Sequence, residues 1–302
     1  MIAIVIPYYK IIFFEETLIS LANQTNKRFK VYIGDDASPE SPMPLLEGYR
    51  DKLDFVYHRF DENLGGISLV EQWKRCIGLT IDEDWIMILG DDDVLGSNVI
   101  ESFLLNYEKI VISEVNLVRF ASKLIDASGK DLSKIFFHPE LELSTDSFFK
   151  KFQWESRSSL SEYIFKRTSF NRFQFTDYPL GWYSDDKAWL DFTGCGFIYT
   201  QNDALVKIRR SNENISGKTD NLDSKSLANY LFFKDILTNN KYSFNKHQKT
   251  TLLFCFGTLI KDQNRITVNN TIIIFIQFIK IGSIYNGLRF LRRMLRSKYL
   301  KK

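Results

Sequence analysis

Two short acidic clusters carry the first chemical information in this chain. Asp91-Asp92-Asp93 follows the apolar run 85–89, and Asp35-Asp36 follows the run 29–34. Three adjacent carboxylates repel one another, and a hard divalent cation relieves that repulsion. Oxygen ligands of this kind suit Mg²⁺ or Mn²⁺, above all when substrate phosphates complete the shell. A solvated acidic turn accounts for the same residues, and Asp35-Asp36 before Ala37-Ser38-Pro39 also reads as a turn or helix cap. Asp82-Glu83-Asp84 precedes a strand instead of following one, and reads as a solvated turn.

The elements that would position these carboxylates alternate through the first hundred residues. Residues 2–7, 29–34, 55–58 and 85–89 are strand patterns; the first and last are continuous apolar runs, as in strands buried on both faces. Phe13, Thr17, Leu18 and Leu21 recur at helical spacing, residues 67–79 read as a helix, and Ser97 is placed to cap another running to about Glu108. Such alternation argues for parallel pairing with right-handed crossovers, and ligands then bind beyond the carboxyl ends of the strands. Both acidic clusters lie at such ends. Farther on, residues 116–121, 196–200 and 204–208 read as strands, 182–192 as a helix, and the chain after Leu222 as mostly helical. We expect a catalytic α/β domain over residues 1–210 and a helical C-terminal region over 211–302.

Composition narrows the classes. A chain of 302 residues with 44% hydrophobic content has ample core, and its 15% aromatic content is accounted for by that core. Cys76, Cys195 and Cys255 are too few and too scattered for a disulfide framework, which points to a reducing compartment. His58, His138 and His247 are isolated, so a zinc site has no support. The N-terminal apolar run stops at Pro7 and lacks a charged start, so it reads as a strand, and a cytoplasmic location is expected. Net charge is +3, but from residue 271 onward stand Lys280, Arg289, Arg292, Arg293, Arg296, Lys298, Lys301 and Lys302 with no acidic residue. The basic tail points to an anionic surface, a membrane before nucleic acid.

In this order and spacing, the motifs resemble the family 2 glycosyltransferases, whose nucleotide-binding domain is called GT-A. Val5-Ile6-Pro7-Tyr8-Tyr9-Lys10 resembles that family's first strand and loop, and Ser20-Leu21-Ala22-Asn23-Gln24-Thr25 its helix ending in a Gln-Thr pair. Residues 29–38 are similar to its second strand and Asp-Asp-x-Ser turn, Asn63-Leu64-Gly65-Gly66 to its donor loop, and residues 85–95 to its metal motif. Ser184-Asp185-Asp186 resembles the acidic pair that opens its catalytic helix, and the resemblance extends over about residues 1–210. The fold implied is a Rossmann-like, mixed but mostly parallel sheet flanked by helices. Carried over by position, Pro7 and Tyr9 line the nucleobase pocket, with Asn63 and Gly65 in the donor loop. Asp36 accepts from a base N–H, Asp92 lies near the ribose or sugar, Asp91 and Asp93 hold Mn²⁺ or Mg²⁺, and Asp186 is the general base. The implied reaction moves a sugar with inversion from a nucleotide sugar, a UDP-sugar being favoured, to a saccharide or lipid-linked hydroxyl, in surface polysaccharide assembly. Lys10 stands where the family commonly has Asn, Gly90 where it has Asp, and its Ala-Arg-Asn helix motif is missing, with Gln72 the nearest polar residue.

Other readings compete. A haloacid-dehalogenase-like phosphatase also uses Asp-x-Asp after a buried strand, with Asp91 as nucleophile and Asp93 as acid, but Leu95 stands where Thr or Val is usual. A nucleotidyltransferase lacks its Gly-rich phosphate loop after Pro7, and a non-catalytic sugar-nucleotide or membrane-binding module would bind without turnover. In the resembled family the region ahead of the catalytic helix lines the acceptor site, which makes Arg157, Ser159 and Glu162 candidates there, with ordinary packing and loop roles as the alternative. The stretch from Arg209-Arg210-Ser211 to Asn214-Ile215-Ser216-Gly217 reads equally as a loop over the diphosphate or a solvated surface loop. Ile284, Leu288, Leu291 and Leu295 share one helical face and the tail arginines another, a pattern suited to the headgroup layer or to packing on the domain.

Overall fold

The computed structural model describes residues 1–211, 221–263 and 265–299, with side chains as far as Arg296. The candidate loop residues Asn214-Ile215-Ser216-Gly217 and the tail residues Lys301 and Lys302 lie outside the described residues, as does the side chain of Lys298. The chain divides into two compact units, Met1–Asp220 and Asn221–Lys302.

In the first unit the elements run β1 (Ile2–Tyr8), α1 (Phe14–Ala22), β2 (Phe29–Asp35), α2 (Met43–Glu47), β3 (Phe55–Arg59), α3 (Leu69–Ile77) and β4 (Trp85–Ile88). There follow β5 (Val94–Leu95), α4 (Val99–Leu105), α5 (Tyr107–Ile112), β6 (Leu117–Ile125), β7 (Leu141–Leu143) and α6 (Ser144–Phe152). The unit closes with β8 (Tyr163–Lys166), α7 (Arg167–Phe173), α8 (Ser184–Phe192) and β9 (Phe197–Arg209). One sheet has the order β3-β2-β1-β4-β8-β6-β9-β5, with β7 on β9. The strands β3, β2, β1 and β4 are mutually parallel, as are β6 and β9, while β8 runs antiparallel between β4 and β6.

The period of two in β1 explains its apolar sequence. Ile2, Ile4 and Ile6 pack with Leu18 and Phe103 on one side of the sheet; Ala3 and Val5 pack with Trp73, Phe165 and Trp189 on the other. Because both faces are covered, the run from Ile2 to Ile6 is apolar throughout. The register pairs Tyr8 with Asp35 and Val5 with Ile88, so the carboxyl ends of β1, β2 and β4 open onto the same edge. Helix α3 starts at Ser68, whose Oγ accepts from the Glu71 amide at 3.1 Å, and buries Val70, Trp73, Cys76 and Ile77. It lies so near β2 that a Cβ on Gly34 would meet Cys76 Sγ at 2.3 Å.

Three local expectations are corrected. Ser97 does not cap a helix; α4 begins at Val99, and the Ile100 amide donates to Gln24 Oε1 at 3.2 Å, so the cap comes from the end of α1. The helix also stops at Leu105, and α5 begins at Tyr107. The two strands expected at 196–200 and 204–208 are one strand, β9, with a register shift that takes Phe120 to Gln201 and Ala121 to Leu205.

The second unit holds α9 (Leu222–Thr238), α10 (Lys246–Asp262), α11 (Val268–Lys280) and α12 (Ile284–Tyr299). On α12 the buried positions are Gly287, Phe290 and Met294, whereas Ile284, Leu288 and Leu295 stay exposed beside Arg289, Arg292, Arg293 and Arg296. Among the described residues no helix is long and apolar enough to cross a membrane.

Candidate active site

At the end of β2 the two adjacent aspartates do different work. Asp35 is fully buried and braces the sheet edge: its Oδ2 accepts from Tyr57 at 2.6 Å and Arg59 at 2.8 Å, its Oδ1 from the Ser38 amide at 2.8 Å. Asp36 clasps the loop before α3. The Leu64 amide donates to its Oδ1 at 2.8 Å and the Gly65 amide to its Oδ2 at 2.9 Å. Arg75 completes the clasp, bonding Asp36 Oδ1 and lying 3.9 Å from the centre of the Phe60 ring. Burial raises the Asp36 carboxyl, and the two amides and Arg75 oppose that rise. Gly65 is required here, because a Cβ would stand 2.5 Å from Asp36 Oδ2. Asn63 tightens the same loop by accepting from the Gly66 amide at 2.7 Å. Half-buried Pro7 and Tyr9 border this edge from β1 and the loop after it.

The acidic turn after β4 meets the loop after β1. Asp91 Oδ2 accepts from the Tyr9 and Lys10 amides at 2.8 and 2.9 Å, so a side chain expected to ligate metal is engaged by backbone donors. Burial and the charge of Asp92 raise its carboxyl to about 6. Asp93 Oδ1 accepts from the Arg209 amide at 2.9 Å and its Oδ2 from Ser161 Oγ at 2.5 Å; burial and Asp92 push it up to about 8. Ser161 Oγ also accepts from the Gly90 amide at 3.0 Å, which fixes both ends of the turn. Thr17 Oγ1 donates to the carbonyls of Asp91 and Asp93. Arg209 is buried beneath, donating to the Asp92 carbonyl at 2.9 Å, the Asp126 carbonyl at 2.9 Å and Glu16 Oε2 at 2.6 Å. A guanidinium with so many fixed acceptors sets the backbone of the turn, a role the sequence did not reveal.

Among the described residues no group of three or more His, Cys, Asp or Glu side chains converges as a metal cage. A buried carboxylate beside a second one, accepting from the Arg209 amide at one oxygen and from Ser161 at the other, keeps lone pairs that suit a cation whose other ligands are substrate phosphates and water. Asp93 fits; Asp91 is committed to the loop.

Asp186 enters from α8. Before that helix the backbone takes left-handed values at Leu180, Gly181 and Tyr183, with φ of 62°, 64° and 68°, which turns the first helical residues inward. Both Asp186 oxygens accept from Lys151 Nζ of α6 at 2.7 Å. Burial raises the Asp186 carboxyl, Lys151 opposes this, and Asp185 adds to it. The two contacts suit the ionised carboxylate, since a protonated carboxyl would offer one good acceptor in place of two. The short turn Leu160–Glu162 links the two carboxylates: Ser161 bonds Asp93, and the charge of Glu162 bears on Asp186. Of the acceptor-side candidates, Arg157 and Ser159 both bond Glu162, which is fully buried, so the three form one internal cluster.

Sequence reasoning missed Arg75, Lys151 and Ser161. Each is a single polar residue outside any motif, reaching a partner 39, 35 or 68 positions away in sequence. Arg75 left a trace, being one helical turn from Gln72, and Ser161 another, standing between the candidates Ser159 and Glu162.

Residues 3–125 match the model for glycosyl transferase family 2. No curated protein sequence matches the chain. Among solved structures it is similar to S. aureus TarS 1–349 in complex with UDP-GlcNAc, with TM-score 0.63 and 16% identity over 98% of this chain and 81% of that one. The same TarS fragment in complex with UDP gives TM-score 0.60 and 14% identity, covering 100% and 92% of the two chains. A longer TarS structure gives TM-score 0.63 and 15% identity over 98% of this chain, which spans 52% of that one. At such identities the likeness concerns the fold, a mixed α/β sheet flanked by helices of the GT-A type.

Proposed function

We propose that this chain, whose residues 3–125 match glycosyl transferase family 2, is a glycosyltransferase that takes its sugar from a UDP-sugar and passes it, with inversion, to a hydroxyl of a saccharide or lipid-linked acceptor. The observation that carries this reading is the shared edge at the ends of β1, β2 and β4. There the Asp36 clasp and the Asp91–Asp93 turn flank the end of β1, Ser161 bonds Asp93, and the charge of the neighbouring Glu162 bears on Asp186. Asp36 Oδ2, holding one backbone donor, has lone-pair capacity for the ring N–H of uracil. Tyr9 and Pro7 flank that base, and the loop Asn63–Gly65 faces the donor. Asp92 is assigned to the ribose or sugar.

A Mn²⁺ or Mg²⁺ ion held by Asp93 together with the donor diphosphate would neutralise charge as the sugar–phosphate bond breaks. The acceptor hydroxyl is a weak nucleophile, and Asp186 takes its proton as oxygen attacks the anomeric carbon from the face opposite the leaving UDP. One displacement needs no carboxylate nucleophile. The phosphatase alternative would require Asp91 to attack phosphorus, yet its carboxylate is held by the Tyr9 and Lys10 amides. The test is UDP release from UDP-GlcNAc and other UDP-, GDP- and dTDP-sugars with Mn²⁺ and a panel of saccharide acceptors. Metal-dependent release of UDP supports the reading, and silence across the panel from folded protein sinks it.

The helical unit suggests where the acceptor is met. Ile284, Leu288 and Leu295 of α12 and Ile272, Ile276 and Ile279 of α11 are exposed, and Lys261, Arg289, Arg292, Arg293 and Arg296 line a cleft of about 610 Å³ with Phe254. An exposed apolar stripe beside arginines suits the headgroup layer of an anionic bilayer, which would place the enzyme at the cytoplasmic membrane face. Replacing Arg289, Arg292 and Arg296 by Glu is expected to abolish co-sedimentation with phosphatidylglycerol vesicles; unchanged sedimentation would remove the membrane from the account.

A further inference from the structure

The contact between α6 and α8 is more specific than packing requires. Lys150 and Lys151 are neighbours on α6, yet they take different partners: Lys150 reaches Glu142 at 2.6 Å, while Lys151 places its ammonium 2.7 Å from both oxygens of Asp186. The α6 helix is itself anchored, since Ser147 Oγ accepts from buried Arg119 at 2.6 Å. Asp186 is almost fully buried, and the groups bearing on it are Lys151 from α6, Asp185 from its own helix and Glu162 from the turn Leu160–Glu162. Tyr183 lies beside the Lys151 ammonium, 5.9 Å from Nζ to the ring centre. Two of these neighbours are carboxylates, and with burial they press Asp186 toward its protonated form. A protonated acid cannot accept the proton of an incoming hydroxyl. Lys151 supplies the opposing charge, and its two-pronged contact also fixes the carboxylate plane.

We infer that Lys151 is a positioning residue for transfer: its ammonium holds Asp186 in one orientation and keeps it ionised until the acceptor hydroxyl is in place. The inference rests on the reading of Asp186 as the base. No atom is transferred from Lys151; each carboxylate oxygen keeps a second lone pair with which to receive the acceptor proton.

The test separates this role from a merely structural ion pair. With Asp side chains ¹³C-labelled at the carboxyl, the Asp186 signal, identified by its loss in Asp186→Asn, is titrated in wild type, Lys151→Met and Lys151→Arg. Lys151→Met is expected to raise the titration midpoint by about one pH unit or more, and Lys151→Arg to hold it near the wild-type value. The acid limb of the pH profile of UDP release from UDP-GlcNAc should move up with it in Lys151→Met, activity recovering at alkaline pH. Should Lys151→Met not fold, the comparison is made with Lys151→Gln. An unmoved midpoint overturns the inference, as does a folded, donor-binding Lys151→Met that stays inactive at every pH. Failure of the underlying reading looks different: Asp186→Asn would then retain turnover whatever the titrations show.

Discussion

Asp186→Asn is expected to cut turnover by about 10²- to 10⁴-fold while donor affinity stays within a few-fold of wild type. The asparagine preserves shape and leaves one oxygen to accept from Lys151 Nζ, but it cannot take the acceptor proton. The loss should therefore fall on kcat and spare the donor KM. Lys151 is about a quarter exposed, so water can solvate the ammonium freed from its partner, and only a small fall in Tm is expected. Turnover within a few-fold of wild type would remove Asp186 from the chemistry.

Asp93→Asn should act on the other half of the reaction. It keeps the side-chain volume between the Arg209 amide and Ser161, yet loses the charge proposed to hold the cation. Donor affinity measured with Mn²⁺ is expected to fall to the metal-free level, and turnover by about 10²-fold or more. Stability should move the opposite way. The folded-state Asp93 carboxyl is raised above its ordinary value, so without metal the native state binds more protons than the unfolded chain from about pH 4 to about 8. Across that window the charged form weighs against folding, and metal-free Asp93→Asn should melt at or above wild type at pH 7. A variant that melts well below wild type, or binds donor with undiminished metal dependence, would count against this assignment.

These expectations draw on both sequence and structure, and the two were unequal guides. Strands β1 and β4 were readable because burial on both faces leaves an uninterrupted apolar run, β2 was readable despite Lys30 within it, and acidic residues closing β2 and β4 marked the edge proposed to bind ligand. Strand β8 was hidden because Tyr163–Lys166 is four residues long and follows polar Ser156-Arg157-Ser158-Ser159, so its period never showed. The bulge in β9 broke one strand pattern into two. At the site, the acidic residues announced themselves by adjacency, but what answers their charge did not. Backbone amides of Tyr9, Lys10 and Arg209 and the lone side chains Arg75, Lys151 and Ser161 reach them only after the chain has folded. Asp91 illustrates the difference: the repulsion that suggested a cation is met at one oxygen by two N–H groups.

Isothermal calorimetry of UDP and UDP-GlcNAc with and without Mn²⁺ decides whether the edge at β1, β2 and β4 is a nucleotide-sugar site. Binding is expected to strengthen with Mn²⁺, weaken in Asp36→Ala, and lose its metal dependence in Asp93→Asn. Folded protein that binds neither ligand, with or without Mn²⁺, or binds both equally well in wild type and in these variants, would contradict that assignment.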